Sequence, residues 1–171
     1  MPILARRARL SLNSTGTEAR YGHDHAIRGV VVSFGYGHRP LAGGREDRCA
    51  KADCQHVPRA DLTVDATVHY RNPHADPAMR ELTGLHDSVL QHVLDTPGVD
   101  RSVEAAAAFG ADLLRDVANQ RMQPVRTAVG CIGGRHRSVA MAEEVANRLW
   151  KKYGFTFDVH HLDVQKPVIQ P

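Results

Sequence analysis

Apolar positions along this chain fall into two rhythms, short β-branched runs and longer stretches of helical period. Residues 27–38, IRGVVVSFGYGH, form a β-branched run that closes in Gly35, Gly37 and His38. That is the pattern of a buried strand feeding a loop. Leu62–Tyr70, LTVDATVHY, alternates and predicts a second strand, and RNPHADP after it holds two prolines and a turn-forming Asn that break the chain. Thr83-Gly84 opens a short helical pattern through Leu85, Val89, Leu90 and Val93, and Pro97-Gly98 stops it. Ser102 suits the N-cap of a long helix to about Arg121, with Glu104 near its positive end. Ala106, Gly110, Leu113 and Val117 would form its packed face. PVRTAVGC predicts a third strand. A second long helix is expected from Arg135 to about Tyr153, with Ala142, Val145 and Leu149 on its apolar face and Gly154 as its C-cap. FTFDVHHLDV predicts a final strand.

Strands alternating with helices argue for an α/β fold with a mostly parallel sheet flanked by helices. In such sheets ligands bind beyond the carboxyl ends of the strands. Three loops leave such ends, GYGH, RNPHADP and CIGGRHRS, and they are expected to converge. Residues 1–26 lack apolar periodicity and read as a disordered tail. Residues 27–171 read as one domain, with residues 41–60, rich in Gly and charge, as a loop insertion.

Composition narrows the picture a little. The 171 residues carry a formal charge of +3, eleven histidines and three cysteines. A mildly basic chain permits an anionic partner without demanding one. No apolar stretch is long enough for a membrane span or a signal sequence, so a cytoplasmic protein with reduced thiols and no membrane partner is expected. There is no G-x4-GK-[ST] and no G-x-G-x-x-G, so neither a P-loop nor a dinucleotide fold is expected, and no cofactor. Aromatic residues make up 5% of the chain, which gives poor support to base stacking on single strands.

CIGGRHRS, Cys131 to Ser138, carries most of the chemistry. A strand, a glycine-rich turn and a helix N-terminus together hold phosphate, because free backbone N–H groups and the helix dipole both favour negative charge. Gly133 and Gly134 allow close approach, Arg137 can clamp two oxygens, and Ser138 can add a hydroxyl. The competing structural explanation is a tight turn with solvated arginines. Cys131 and Arg137 also match the C-x5-R-[S/T] spacing of cysteine phosphatases, in which a thiolate attacks phosphorus while the arginine holds the oxygens. That spacing alone is a weak signal. Gly130 offers no imidazole beside the thiol, and the one conceivable general acid is Asp76.

Other residues have two explanations each. Cys49, Cys54 and His56 have spacing a zinc loop could use, or are incidental residues of a surface loop. His38 and Arg80 with Thr83-Gly84 are further anion contacts or solvated turn residues. Lys151 and Lys152 suit the negative C-terminal end of the second long helix. His160, His161 and Lys166 form a basic rim or a solvated end.

FGYGH, DATVHYRNPHADPAMRELTG, VGCIGGRHRSV and HHLDVQK, taken together, resemble the C-terminal domain of the RapZ RNase adapter family, over roughly residues 30–167 in the same order. The resemblance implies an α/β domain similar to a subdomain of 6-phosphofructokinase, which binds a small RNA, senses glucosamine-6-phosphate and forms oligomers. It implies a phosphosugar pocket of His38, Arg80, Thr83, Gly84, Cys131, Gly133, Gly134, His136 and Arg137, joined by Ser138 on the chemistry above. It leaves Cys131 a pocket wall and not a nucleophile. Lys151, Lys152, His161 and Lys166 are the candidates for RNA contact, with a protein as the other partner expected. The kinase-like domain that precedes this one in the family is absent from the sequence. The basic string that often closes the family is depleted here, and each lost phosphate contact weakens RNA binding. The reading is a non-enzymatic phosphosugar-binding sensor or adaptor, with a cysteine phosphatase using Cys131 and Arg137 as the alternative.

Overall fold

A strand buried on both faces shows no polar alternation, and the runs Gly29–Gly35 and Val125–Cys131 show none. In the computed structural model, which describes residues 11–12, 18–19, 29–39, 57–68, 70–117 and 124–169, these two runs are the inner strands of the main sheet. Two short segments, β1 (Ser11–Leu12) and β2 (Glu18–Ala19), pair antiparallel ahead of it. The main sheet contains β3 (Gly29–Gly35), β4 (Leu62–Asp65), β5 (Val125–Cys131) and β6 (Phe157–His161), all parallel, in the order β4-β5-β3-β6. The edge strand β4 alternates half-buried and exposed residues, as an edge should.

Three helices complete the α/β architecture: α1 (Asp87–Leu94), α2 (Val99–Val117) and α3 (Arg137–Tyr153). Helix α3 packs on β3, β5 and β6, α2 packs on β4 and β5, and the two helices lie against each other. Val31, Val129 and Phe157 of the sheet meet Val103, Ala107 and Leu114 of α2 and Met141, Val145 and Leu149 of α3 in one core. Burying each of the larger side chains contributes about 1.5–3 kcal/mol. Gly154, at φ 72°, closes α3 as expected: Gly154 N–H reaches Trp150 O and Phe155 N–H reaches Leu149 O.

Several boundaries differ from the sequence reading. The second strand stops at Asp65, because its carboxylate accepts Thr67 N–H at 2.8 Å and turns the chain. Thr83-Gly84 is a turn ahead of α1, whose N-cap is His86. Helix α2 begins at Val99, so Ser102 lies within it and its hydroxyl meets Tyr70 Oη at 2.5 Å. The core face of α2 includes the expected Ala106 and Gly110, with Leu113 packed against it, and takes in Ala107, Ala111 and Leu114 as well. Helix α3 begins at Arg137, two residues later than expected. The final strand ends at His161. Of the tail at 1–26 only residues 11–12 and 18–19 are described, and of the insertion at 41–60 only residues 57–60. Among the described residues no helix is long and apolar enough to cross a membrane.

Gly110 sits in the middle of α2, where a Cβ would lie 3.6 Å from Leu149 Cδ2 and from Phe157 Cζ, an ordinary contact. Gly110→Ala is expected to stabilise the fold by about 0.5–1 kcal/mol. The check is a urea titration, with a raised midpoint and an unchanged slope; a lowered midpoint would contradict this packing.

Candidate functional site

Parallel strands bring their carboxyl ends to one edge of the sheet, and the loop 132–136 leaves β5 at that edge to enter α3. Gly134 takes φ 68°, and a Cβ there would lie 2.7 Å from Gly35 N and 2.8 Å from Asp163 Cβ. Only glycine lets the loop press this closely onto the end of β3. The loop is tied down further by Gly37 N–H, which donates to Ile132 O at 2.9 Å. Gly133 is the opposite case, since a Cβ there would meet nothing within 4 Å. Its backbone is open to an approaching group.

Beneath the loop lies Asp163, 1% exposed, which accepts Gly35 N–H at 2.8 Å and Arg39 Nη2 at 2.6 Å and pairs with Lys166 Nζ at 2.6 Å. Arg135 ties the loop outward. Its Nη1 donates to Val164 O at 3.1 Å and Lys166 O at 2.8 Å, and its Nη2 to Glu81 O at 3.0 Å.

A cavity of about 170 Å³ opens beside this loop. Cys131, Ile132, Gly133, Arg135, His136 and Arg137 line it from β5, the loop and the start of α3. Asn72 and His74 line it from the segment after β4, and Val168 and Ile169 from the chain beyond β6. Two arginines and two histidines are among these lining residues, and among the described residues no Asp or Glu is. Arg135 Nε and His74 Nε2 are buried without a hydrogen-bond partner. Such a lining suits an anion.

The structure divides the expected ligand set. Cys131, Gly133, His136 and Arg137 line the cavity. Arg137 is buried, and its Nη1 donates to Thr67 O at 2.8 Å and Tyr70 O at 3.4 Å, which holds the β4 loop to α3. The other expected residues brace it from behind. His38 touches the Gly133 backbone, and Arg80 Nε donates to His74 O at 3.1 Å. Thr83 Oγ1 accepts Leu85 N–H at 3.3 Å, and Gly84 N–H donates to Arg135 O at 2.7 Å. Gly134 N–H donates to Cys131 Sγ at 3.3 Å, and the fully buried Ser138 places Oγ 3.2 Å from the same sulfur. Asp76 accepts Ala78 N–H at 2.9 Å and is not among the lining residues.

Asn72, His74, Arg135, Ile132, Val168 and Ile169 are lining residues outside the expected set. Asn72 and His74 belong to RNPHADP, a loop expected to converge here, so convergence was the signal that could have found them. Three of the four residues considered for RNA contact have partners within the chain, Lys152 and Lys166 while still partly or largely exposed. Lys152 pairs with Glu104, Lys166 with Asp163, and His161 bridges Ser33 Oγ at 2.7 Å and Glu143 Oε1 at 3.0 Å. Lys151 is exposed on α3. Cys49, Cys54 and His56 lie outside the described residues, and among those described no group of three His, Cys, Asp or Glu could hold a metal ion.

Burial pushes the His136 imidazole below its usual 6.5, despite hydrogen bonds to the Met79 and Arg80 backbone that favour the charged form. Burial likewise lowers His38. With the folded pKa below the unfolded one, the unfolded chain binds more protons as the pH falls below about 6.5, so stability is full above that pH and is lost on acidification. Wild type is therefore expected to lose more stability than His136→Gln between about pH 7 and pH 5.5, read from urea midpoints. Equal losses would contradict a neutral, buried His136.

Comparison with known proteins agrees with this architecture. A family model described as the RapZ C-terminal domain matches residues 30–165. A nucleotide-binding protein of Clavibacter michiganensis is 32% identical over 90% of this chain and 47% of its own length. Another from Acidothermus cellulolyticus is 34% identical over 72% of this chain and 34% of its own length. One from Rubrobacter xylanophilus is 43% identical over 53% of this chain and 30% of its own length. The chain thus spans less than half the length of each of these relatives. Its match begins in β3, runs through the loop that lines the cavity and ends after β6: this chain belongs to the RapZ C-terminal domain family.

Proposed function

We propose that this chain is a non-enzymatic binding domain that takes a phosphorylated small molecule, of the glucosamine-6-phosphate kind, beside the loop 133–137. One observation carries the proposal: a cavity lined by two arginines and two histidines, with no Asp or Glu among the described lining residues, at the N-terminus of a 17-residue helix. Partial positive charge at that helix end and open backbone at Gly133 favour phosphate oxygens. Asn72 offers an amide to a hydroxyl or amino group on the ligand's other end. The relatives' name, nucleotide-binding protein, supports a phosphorylated ligand. Occupancy would be passed to an RNA or protein partner, in the cytoplasm and in an oligomer; for RNA, Lys151 and Lys152 are the exposed cations of the four considered, Lys152 with an ion pair to Glu104.

A cysteine phosphatase is the second reading, because the Cys131 sulfur takes the Gly134 N–H and lies beside the Ser138 hydroxyl, as a held thiolate would. Against it, among the described residues no carboxylate lines the cavity to protonate a leaving group.

A thermal-shift series with glucosamine-6-phosphate and inorganic phosphate tests the proposal. Both are expected to raise the melting temperature of wild type. Arg137→Ala, folded by circular dichroism, is expected to lose about 10–100-fold in affinity, the scale of charged hydrogen bonds. No shift with either anion would remove the proposal, and hydrolysis of an aryl phosphate that Cys131→Ser abolishes would favour the phosphatase.

A further inference from the structure

The cavity is not lined by cationic residues alone. With Arg135 and Arg137 it is lined by three aliphatic residues, Ile132, Val168 and Ile169. Val168 and Ile169 come after residue 165, where the family match ends, so these two lie outside the shared family region. The chain is steered there by contacts that the anion loop itself makes. Arg135, whose guanidinium lines the cavity, donates to Val164 O and Lys166 O. Lys166 N–H returns to Asp163 O at 3.0 Å. Ile169 then packs on the turn after β3, where a Cβ at Gly37 would lie 2.5 Å from Ile169 Cδ1. Val168 and Ile169 are half-buried. Aliphatic residues in the lining give nothing to a bare inorganic anion, while a carbon skeleton carrying a phosphate gains by leaving water beside them.

We propose that Val168 and Ile169 are specificity-determining residues, which hold the carbon face of an organic phosphate and so select it over inorganic phosphate. This rests on the anion site proposed above. The ligand class it names is a monophosphate whose skeleton has an apolar face, such as the C–H face of a sugar ring.

Calorimetric titration with inorganic phosphate and with cyclohexyl phosphate, a six-membered carbon ring carrying the same anion, tests it. Wild type is expected to bind cyclohexyl phosphate roughly tenfold more tightly, the gain from burying about two methylenes. Ile169→Ser and Val168→Ser are each expected to cut that ratio to about threefold or less, with phosphate affinity unchanged, while Ile169→Leu keeps it. A wild-type ratio near one, a ratio unchanged in the serine variants, or equal weakening of both ligands overturns the inference and leaves the anion site standing. Wild type that binds neither ligand overturns the anion site, and the inference with it. Should Ile169→Ser not fold, Val168→Ser reads the same ratio.

Discussion

A carboxylate shut away from water must find its partners inside the protein, and Asp163 finds them on three segments. It accepts Gly35 N–H at the end of β3, both terminal nitrogens of Arg39 just beyond it, and Lys166 Nζ one turn later in its own segment. Removing one member of a buried pair costs about 3–5 kcal/mol, because the other charge is left stranded. Arg39 would be the stranded charge here, with side-chain exposure of 4% and an Nε that already lacks a partner. The anion loop rests on this knot, since Gly134 lies against the Asp163 Cβ and the Gly35 backbone. The loop that lines the cavity thus rests on a carboxylate that is not itself among the lining residues.

From that knot the rest of the site follows by geometry. Strands β3 and β5 end side by side, Gly35 opposite Cys131, so the two loops leaving them share one floor. Arg135 has a double duty: it lines the cavity while two of its guanidinium nitrogens grip backbone carbonyls on the segment after β6 and before α1. Arg137 does the same toward the loop after β4. The cations that would meet an anion are therefore held by neutral carbonyls and keep their full charge for the ligand.

Much of this was legible in the chain. Strands β3 and β5 announced themselves because they are buried on both faces, and Gly154 marked the end of α3 because only glycine readily takes that conformation. The strand–loop–helix around CIGGRHRS was legible for the same local reasons. Ser102 misled because its capping chemistry is local, whereas its actual partner, Tyr70, is 32 residues away. Lys166 and His161 read as a basic rim or a solvated end because their partners Asp163 and Glu143 are fixed by the tertiary fold. Val168 and Ile169 gave no signal at all, since their place at the cavity is set by Arg135 and Asp163 and not by their own sequence.

The loop 133–137 and the start of α3 are proposed to form an anion site. A crystal structure of the protein grown in sulfate or phosphate tests it most directly. The expected result is a tetrahedral anion within about 3 Å of the Gly133 backbone and the nitrogens of Arg135 or Arg137, the range of charge-assisted hydrogen bonds. An empty cavity at saturating anion, with the loop unchanged, would contradict it.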